Sequence, residues 1–115
     1  MNPDGPGDCY EVAGQLVVID KVDGVLCHGT PLGTGGEAEG LRYGHAWVEV
    51  NIIGATFVID KSNGNDAFFP KDVYYRAGSI VDEDVVRYSR VEAARHIVKY
   101  KHWGPWPLKK ETAQP

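Results

Sequence analysis

Gly44-His45-Ala46-Trp47-Val48-Glu49-Val50 and, a few residues later, Phe57-Val58-Ile59-Asp60 are the stretches whose reading decides the fold. Both alternate with a period of two, as half-buried strands do. In a strand over 44–51, His45, Trp47 and Glu49 share one face while Ala46, Val48 and Val50 share the other. In a strand over 56–60, Thr56, Val58 and Asp60 stand together against Phe57 and Ile59. The connection Asn51-Ile52-Ile53-Gly54-Ala55 is short enough for a hairpin, and Gly54 can take the positive φ of a tight turn. An even loop centred on Ile52-Ile53 or on Ile53-Gly54 puts His45 and Asp60 on one face, directly opposite or one diagonal step apart. An odd loop without a bulge separates them.

Upstream, the turn-rich Pro3-Asp4-Gly5-Pro6-Gly7 cannot be helical, and helix-compatible residues begin at Asp8. With Asp8 as N-cap, Cys9 is the first helical residue and Glu11 stands in capping-box position. Cys9, Val12, Ala13, Leu16 and Ile19 then recur at helical spacing as a buried stripe. A thiol at a helix N-terminus feels unpaired N–H groups and the positive end of the dipole, both of which favour thiolate. The Cys9 backbone N–H is a candidate oxyanion donor. Asn2 and Gln15 are the nearest amide side chains, and neither is well placed to be a second one. Cysteine, histidine and aspartate in this order can form a nucleophilic triad. The thiolate attacks a carbonyl, the imidazole shuttles the proton, and the carboxylate fixes the tautomer. The expected geometry is Cys9 Sγ within roughly 3–4.5 Å of one His45 ring nitrogen, and Asp60 about 2.6–3.2 Å from the other.

The helix-leading Cys9, the strand Gly44-His45-Ala46-Trp47-Val48-Glu49-Val50, the short hairpin and the Phe57-Val58-Ile59-Asp60 strand together resemble the transglutaminase-like branch of the papain-like cysteine protease superfamily. The resemblance spans about residues 8–64. It implies an α+β fold in which the cysteine helix packs on an antiparallel sheet, with histidine and aspartate on adjacent strands. It further implies a thiol-dependent hydrolase of peptide or isopeptide bonds, with a protein or peptide substrate and no cofactor. Amine transfer by the same triad is the alternative, as is an inactive binding or inhibitory module on the same fold. The chain departs from the family pattern in its shortness and in Gly7-Asp8-Cys9-Tyr10, which lacks the usual tryptophan context of the nucleophile. Trp47 and Tyr10 are the candidate substrate contacts, Trp47 also being a core residue or the wall beside the histidine.

Other readings compete for the same residues. Cysteine is among the most buried residue types, so Cys9 and Cys27 could be core. Cys27 sits inside Val25-Leu26-Cys27-His28, a strand that would aim His28 to the opposite side and so misalign a Cys27/His28 dyad. A zinc site from Cys9, Cys27, His28 and His45 lacks the close ligand pairs such sites use, and no metal is expected. Asp60 could merely end its strand ahead of the turn Lys61-Ser62-Asn63-Gly64.

Composition sets the outer limits. With 115 residues, 43% apolar and 24% charged, the chain suits one soluble domain, expected over 1–108 with a disordered tail over 109–115. A net charge of −4 gives no case for nucleic-acid or anionic-membrane binding. No run is apolar enough to span a membrane, and no signal peptide is evident. Two cysteines suit a cytoplasmic protein. Residues Gly29–Gly44 carry six of the fourteen glycines, with Pro31, Glu37 and Glu39, and form either a substrate-gating flap or a surface excursion. Beyond a polar loop, Pro70 opens a short helix over Pro70–Ala77, and Val85–Tyr88 is a strand. Ser89-Arg90-Val91-Glu92 is a capping box for a helix to about Tyr100. Its expected buried stripe is Val91, Ala94, Ile97 and Val98, with His96 and His102 solvated. Trp103-Gly104-Pro105-Trp106-Pro107 stops it and docks its indoles on the body.

Overall fold

The structure, a computed structural model, describes residues 8–36, 39–64 and 66–107, the Asn63 side chain excepted. The turn at 3–7, Asn2, Glu37 and the tail at 109–115 lie outside the described residues. Helix α1 (Cys9–Val18) leads into strand β1 (Gly24–Gly29), the hairpin β2 (His45–Ile52) and β3 (Ala55–Asp60), then β4 (Ala67–Pro70), helix α2 (Lys71–Gly78), β5 (Val86–Tyr88) and helix α3 (Arg90–Tyr100). The strands form one antiparallel sheet in the order β4-β3-β2-β1-β5. This is an α+β architecture.

The central hairpin closes on the pair Ile52↔Ala55, with Val48↔Ile59 as the last rung of the ladder. Its loop is Ile53-Gly54, the even case, and both residues have positive φ (49° and 82°), as a type I′ turn requires. Asn51 Oδ1 accepts from Gly54 N–H at 3.2 Å and steadies the turn. Extending this register sets Asp60 opposite Trp47 and one diagonal step from His45.

The sheet is covered on both faces. On one, Cys9, Ala13 and Val17 of α1 and Ala93 of α3 pack with Leu26, Ala46, Val48, Val50, Tyr88 and Trp106. On the other, Tyr75 of α2 packs with Cys27, Trp47 and Val58. That division is the alternation of β1, β2 and β3 made physical. A buried Glu49 sits on the second face, held by Arg87 Nε at 3.0 Å, Trp47 Nε1 at 3.1 Å and the Tyr75 hydroxyl. The pairing compensates the desolvation of a carboxylate there.

Several local expectations need correction. Asp8 occupies the N-cap position of α1 without a side-chain capping bond, so the expected capping box is not formed. The buried stripe of α1 runs Cys9, Ala13, Val17, whereas Ile19 is 62% exposed. The helix ends at Val18, and Ile19 falls beyond the last turn that faces the sheet. The loop expected after Asp60 contains β4, whose Phe68 and Phe69 are exposed; a four-residue edge strand ending in proline has too little pattern to be legible. Pro70 ends β4 and stands at the N-cap of α2, one residue ahead of the expected place.

In α3 the capping box of Ser89 and Glu92 is complete. Its buried side is nevertheless turned: Val91 and Val98 are exposed, and Ala93 makes the buried contact with half-buried Ile97 and Tyr100 beside it. A small residue allows the close helix approach that branched valines would obstruct. His96 is not simply solvated either, since its ring packs on Tyr88 and Trp106, with centroids 5.1 and 5.0 Å away. Both indoles dock as expected: Trp106 is buried, and Trp103 lies where any side chain on Gly14 would collide with it.

Candidate functional site

α1 brings Cys9 to the end of the sheet where β2 begins. The first helical hydrogen bond runs from Val12 N–H to Asp8 C=O at 2.8 Å, so the Cys9 N–H lies ahead of the helical ladder, among the N-terminal donors that a developing negative charge could use. Cys9 belongs to the cluster on the α1 face, whereas His45 points to the α2 face with Trp47. The β2–β3 ladder stops at Val48↔Ile59, so His45 lies beyond its last rung, at the end of the sheet.

The central contact is His45 Nε2 to Asp60 Oδ2 at 2.8 Å, fifteen residues apart in sequence and buried. It leaves Nδ1 as the free ring nitrogen, and Cys9 lies near enough to act on the imidazole. Burial works against a charged imidazole here, but the bonds to Asp60 and Cys9 outweigh it and hold His45 up at about 9. Burial would likewise raise Asp60, yet hydrogen bonds from His45 and Tyr74, the His45 charge and Ser62 bring its carboxyl down to about 2. Around neutral pH, then, His45 is an imidazolium beside the Asp60 carboxylate. Cys9 is 0% exposed, His45 8% and Asp60 7%. The thiol is therefore enclosed, as its place in the buried stripe of α1 dictates.

The remaining residues separate clearly. Trp47 is fully buried, gives its indole N–H to Glu49 and packs on Tyr74 and Tyr75. It is a wall beside His45, and in this conformation it is closed to a substrate. Tyr10 is half-buried, set edge-on against His28 at 4.8 Å, with its hydroxyl where a Gly44 side chain would stand. Burial, with Cys9 next to it, raises its phenol to about 12. Gln15 donates to Glu11 at 3.2 Å along the helix surface, so it is turned to its own helix. Cys27 and His28 face opposite sides of β1, so the four residues weighed as a zinc set do not converge. Burial and the neighbouring Glu49 push the Cys27 thiol well above its usual range, and burial holds His28 down at about 4.

Three residues near the site were not anticipated. Tyr74 donates its hydroxyl to Asp60 Oδ2 at 2.6 Å. Ser62 donates both its N–H (3.1 Å) and its hydroxyl (2.7 Å) to Oδ1. Tyr43, partly exposed on the loop before β2, lies edge-on to His45 with centroids 5.9 Å apart. Asp60-Lys61-Ser62 carries a readable signal for Ser62, because aspartate habitually caps the turn two residues on. Tyr74 has none, being brought in by the docking of α2. The loop before β2 is tied at its base: Leu32 N–H binds Gly78 C=O at 2.8 Å, and Arg42 Nη1 donates to the carbonyls of Thr30 (2.9 Å) and Ser79 (2.5 Å).

No family model matches this chain, and no curated protein or solved structure shows significant similarity to it. Among the described residues no helix is long and apolar enough to cross a membrane.

Proposed function

We propose that the protein is a thiol-dependent amide hydrolase of transglutaminase-like, papain-like design, acting on a peptide or isopeptide bond. The observation that carries this reading is the buried His45–Asp60 hydrogen bond with Cys9 beside the same imidazole. Cys9 Sγ attacks the carbonyl carbon as a thiolate, its proton already resting on His45 Nδ1 in the imidazolium. The tetrahedral oxyanion gathers at the α1 N-terminus, where the Cys9 N–H is a donor. Collapse expels the amine, which takes the proton from His45, and leaves a thioester. Water, deprotonated by His45, then releases the acid and restores the thiol. Asp60 stays ionised throughout and stabilises the imidazolium. With an amine in place of water, the same residues perform acyl transfer. No step calls for a cofactor, and two free thiols suit a reducing, cytoplasmic setting.

The full burial of Cys9 favours a second reading, in which the triad is vestigial and the fold serves as a binding or inhibitory module. Iodoacetamide separates the two. As a hydrolase, the native protein is alkylated at Cys9 near neutral pH well ahead of Cys27, and a peptide-aldehyde panel blocks the labelling. Labelling of Cys9 only after denaturation would refute the enzyme.

A further inference from the structure

We propose that Tyr74, with Ser62, is a positioning residue that holds the Asp60 carboxylate in the one orientation that serves His45; the functional part of this claim rests on the hydrolase reading. Asp60 accepts four hydrogen bonds. Oδ1 takes the N–H and hydroxyl of Ser62, while Oδ2 takes His45 Nε2 and the Tyr74 hydroxyl. A carboxylate offers about four lone-pair directions, so this anion is saturated and has no alternative rotation that keeps its partners.

The two anchors come from different parts of the chain. Ser62 follows Asp60 in the adjoining turn and holds Oδ1 through bonds between near neighbours in sequence. Tyr74 arrives from α2, across the second face of the sheet, with its ring packed 5.5 Å from that of Trp47. It therefore couples the placement of α2 to the carboxylate that orients the imidazole. Burial and the adjacent Asp60 charge drive the Tyr74 phenol far above its ordinary range, so it stays a donor wherever Asp60 is an anion. Tyr74 also shares Oδ2 with His45, and two donors on one oxygen each draw on the same electron density. Tyr74 thus sets both the direction and the strength of the His45–Asp60 bond.

The test uses the full chain with Tyr74→Phe, which keeps the ring against Trp47, and Ser62→Ala as a second variant. The Asp60 carboxyl carbon is titrated by NMR, the His45 Nε2–H resonance is followed at neutral pH, and Cys9 alkylation by iodoacetamide is profiled from pH 4 to 9. In each variant the Asp60 midpoint, about 2 in the wild type, should rise by about one pH unit toward the ordinary carboxylate value. In Tyr74→Phe the Nε2–H proton should move downfield, because His45 no longer shares Oδ2. Because Asp60 with a midpoint of about 3 is still ionised from pH 4 upward, the lost anchoring of the imidazole should read as a several-fold lower alkylation rate than the wild type's across the whole profile. An Asp60 midpoint that does not move in Tyr74→Phe, even in a less stable protein, would make Tyr74 a packing residue and overturn the proposal. So would a raised midpoint with an unchanged alkylation profile. A wild type whose Cys9 never reacts refutes the hydrolase reading instead, and the Asp60 midpoint and Nε2–H shift then still decide whether Tyr74 anchors the carboxylate.

Discussion

Asp60→Asn should change the pH dependence of stability in a way that isolates the His45–Asp60 bond. His45 is held at about 9 in the folded protein against an ordinary 6.5. A group raised on folding contributes stability that is full below its unfolded pKa and disappears as pH climbs through its folded pKa. The window here is therefore pH 6.5 to 9. At ~1.4 kcal/mol per pH unit the gap corresponds to roughly 3 kcal/mol. In Asp60→Asn the anion is gone and only the Cys9 contact still raises the imidazole against burial, so His45 should titrate well below 9 and most of this loss across the window should vanish. The Asp60 side of the pair has the opposite sign: its contribution is present above the unfolded value near 3.8 and is lost only as pH falls toward 2. Urea denaturation at pH 5.5, 7, 8 and 9.5, compared as wild type minus variant, provides the measurement. Most of that ~3 kcal/mol should appear as a larger wild-type lead at pH 5.5 than at pH 9.5. A difference that stays flat across the window would refute the argument, because the bond would then lend His45 no extra proton affinity.

Three further outcomes follow from particular contacts. Cys9→Ala should abolish turnover and iodoacetamide labelling at that position. It should also lower stability by about 1–2 kcal/mol in chemical denaturation, because the enclosed Sγ leaves a small void and an unpaired imidazole nitrogen. Ile53→Asn should raise stability by about 1 kcal/mol and lift Tm, since Ile53 is 98% exposed with a φ of 49° that a β-branched residue tolerates poorly and an Asn-Gly turn accepts. Glu49→Ala should cost about 3 kcal/mol or more by removing the shared partner of Arg87, Tyr75 and Trp47 on the α2 face, while leaving Cys9 labelling in place; a change below 1 kcal/mol would count against the network.

Sequence by itself determined the core of this protein because its signals there are local. Period-two alternation fixed the faces of β2 and β3, but the sequence allowed an even or an odd loop between them, and the Ile53-Gly54 turn of the structure is what sets His45 and Asp60 on one face. The Ser89–Glu92 capping box fixed the start of α3, and the turn-rich run before Asp8 fixed the start of α1. Only tertiary structure decided what depends on which bodies meet. The stripe of α1 settled on Cys9, Ala13 and Val17, and that of α3 on Ala93, because the sheet and the facing helix select the closest approach, not hydrophobicity alone. β4 exists because β3 offers it an open edge, although its own four residues carry little pattern. Enclosure of Cys9 and capture of Asp60 by Tyr74 likewise come from elements far apart in the chain, and no window of sequence holds both partners. Periodicity specifies which face a side chain takes. What meets that face is a property of the packed whole, where close packing lets one arrangement exclude the others.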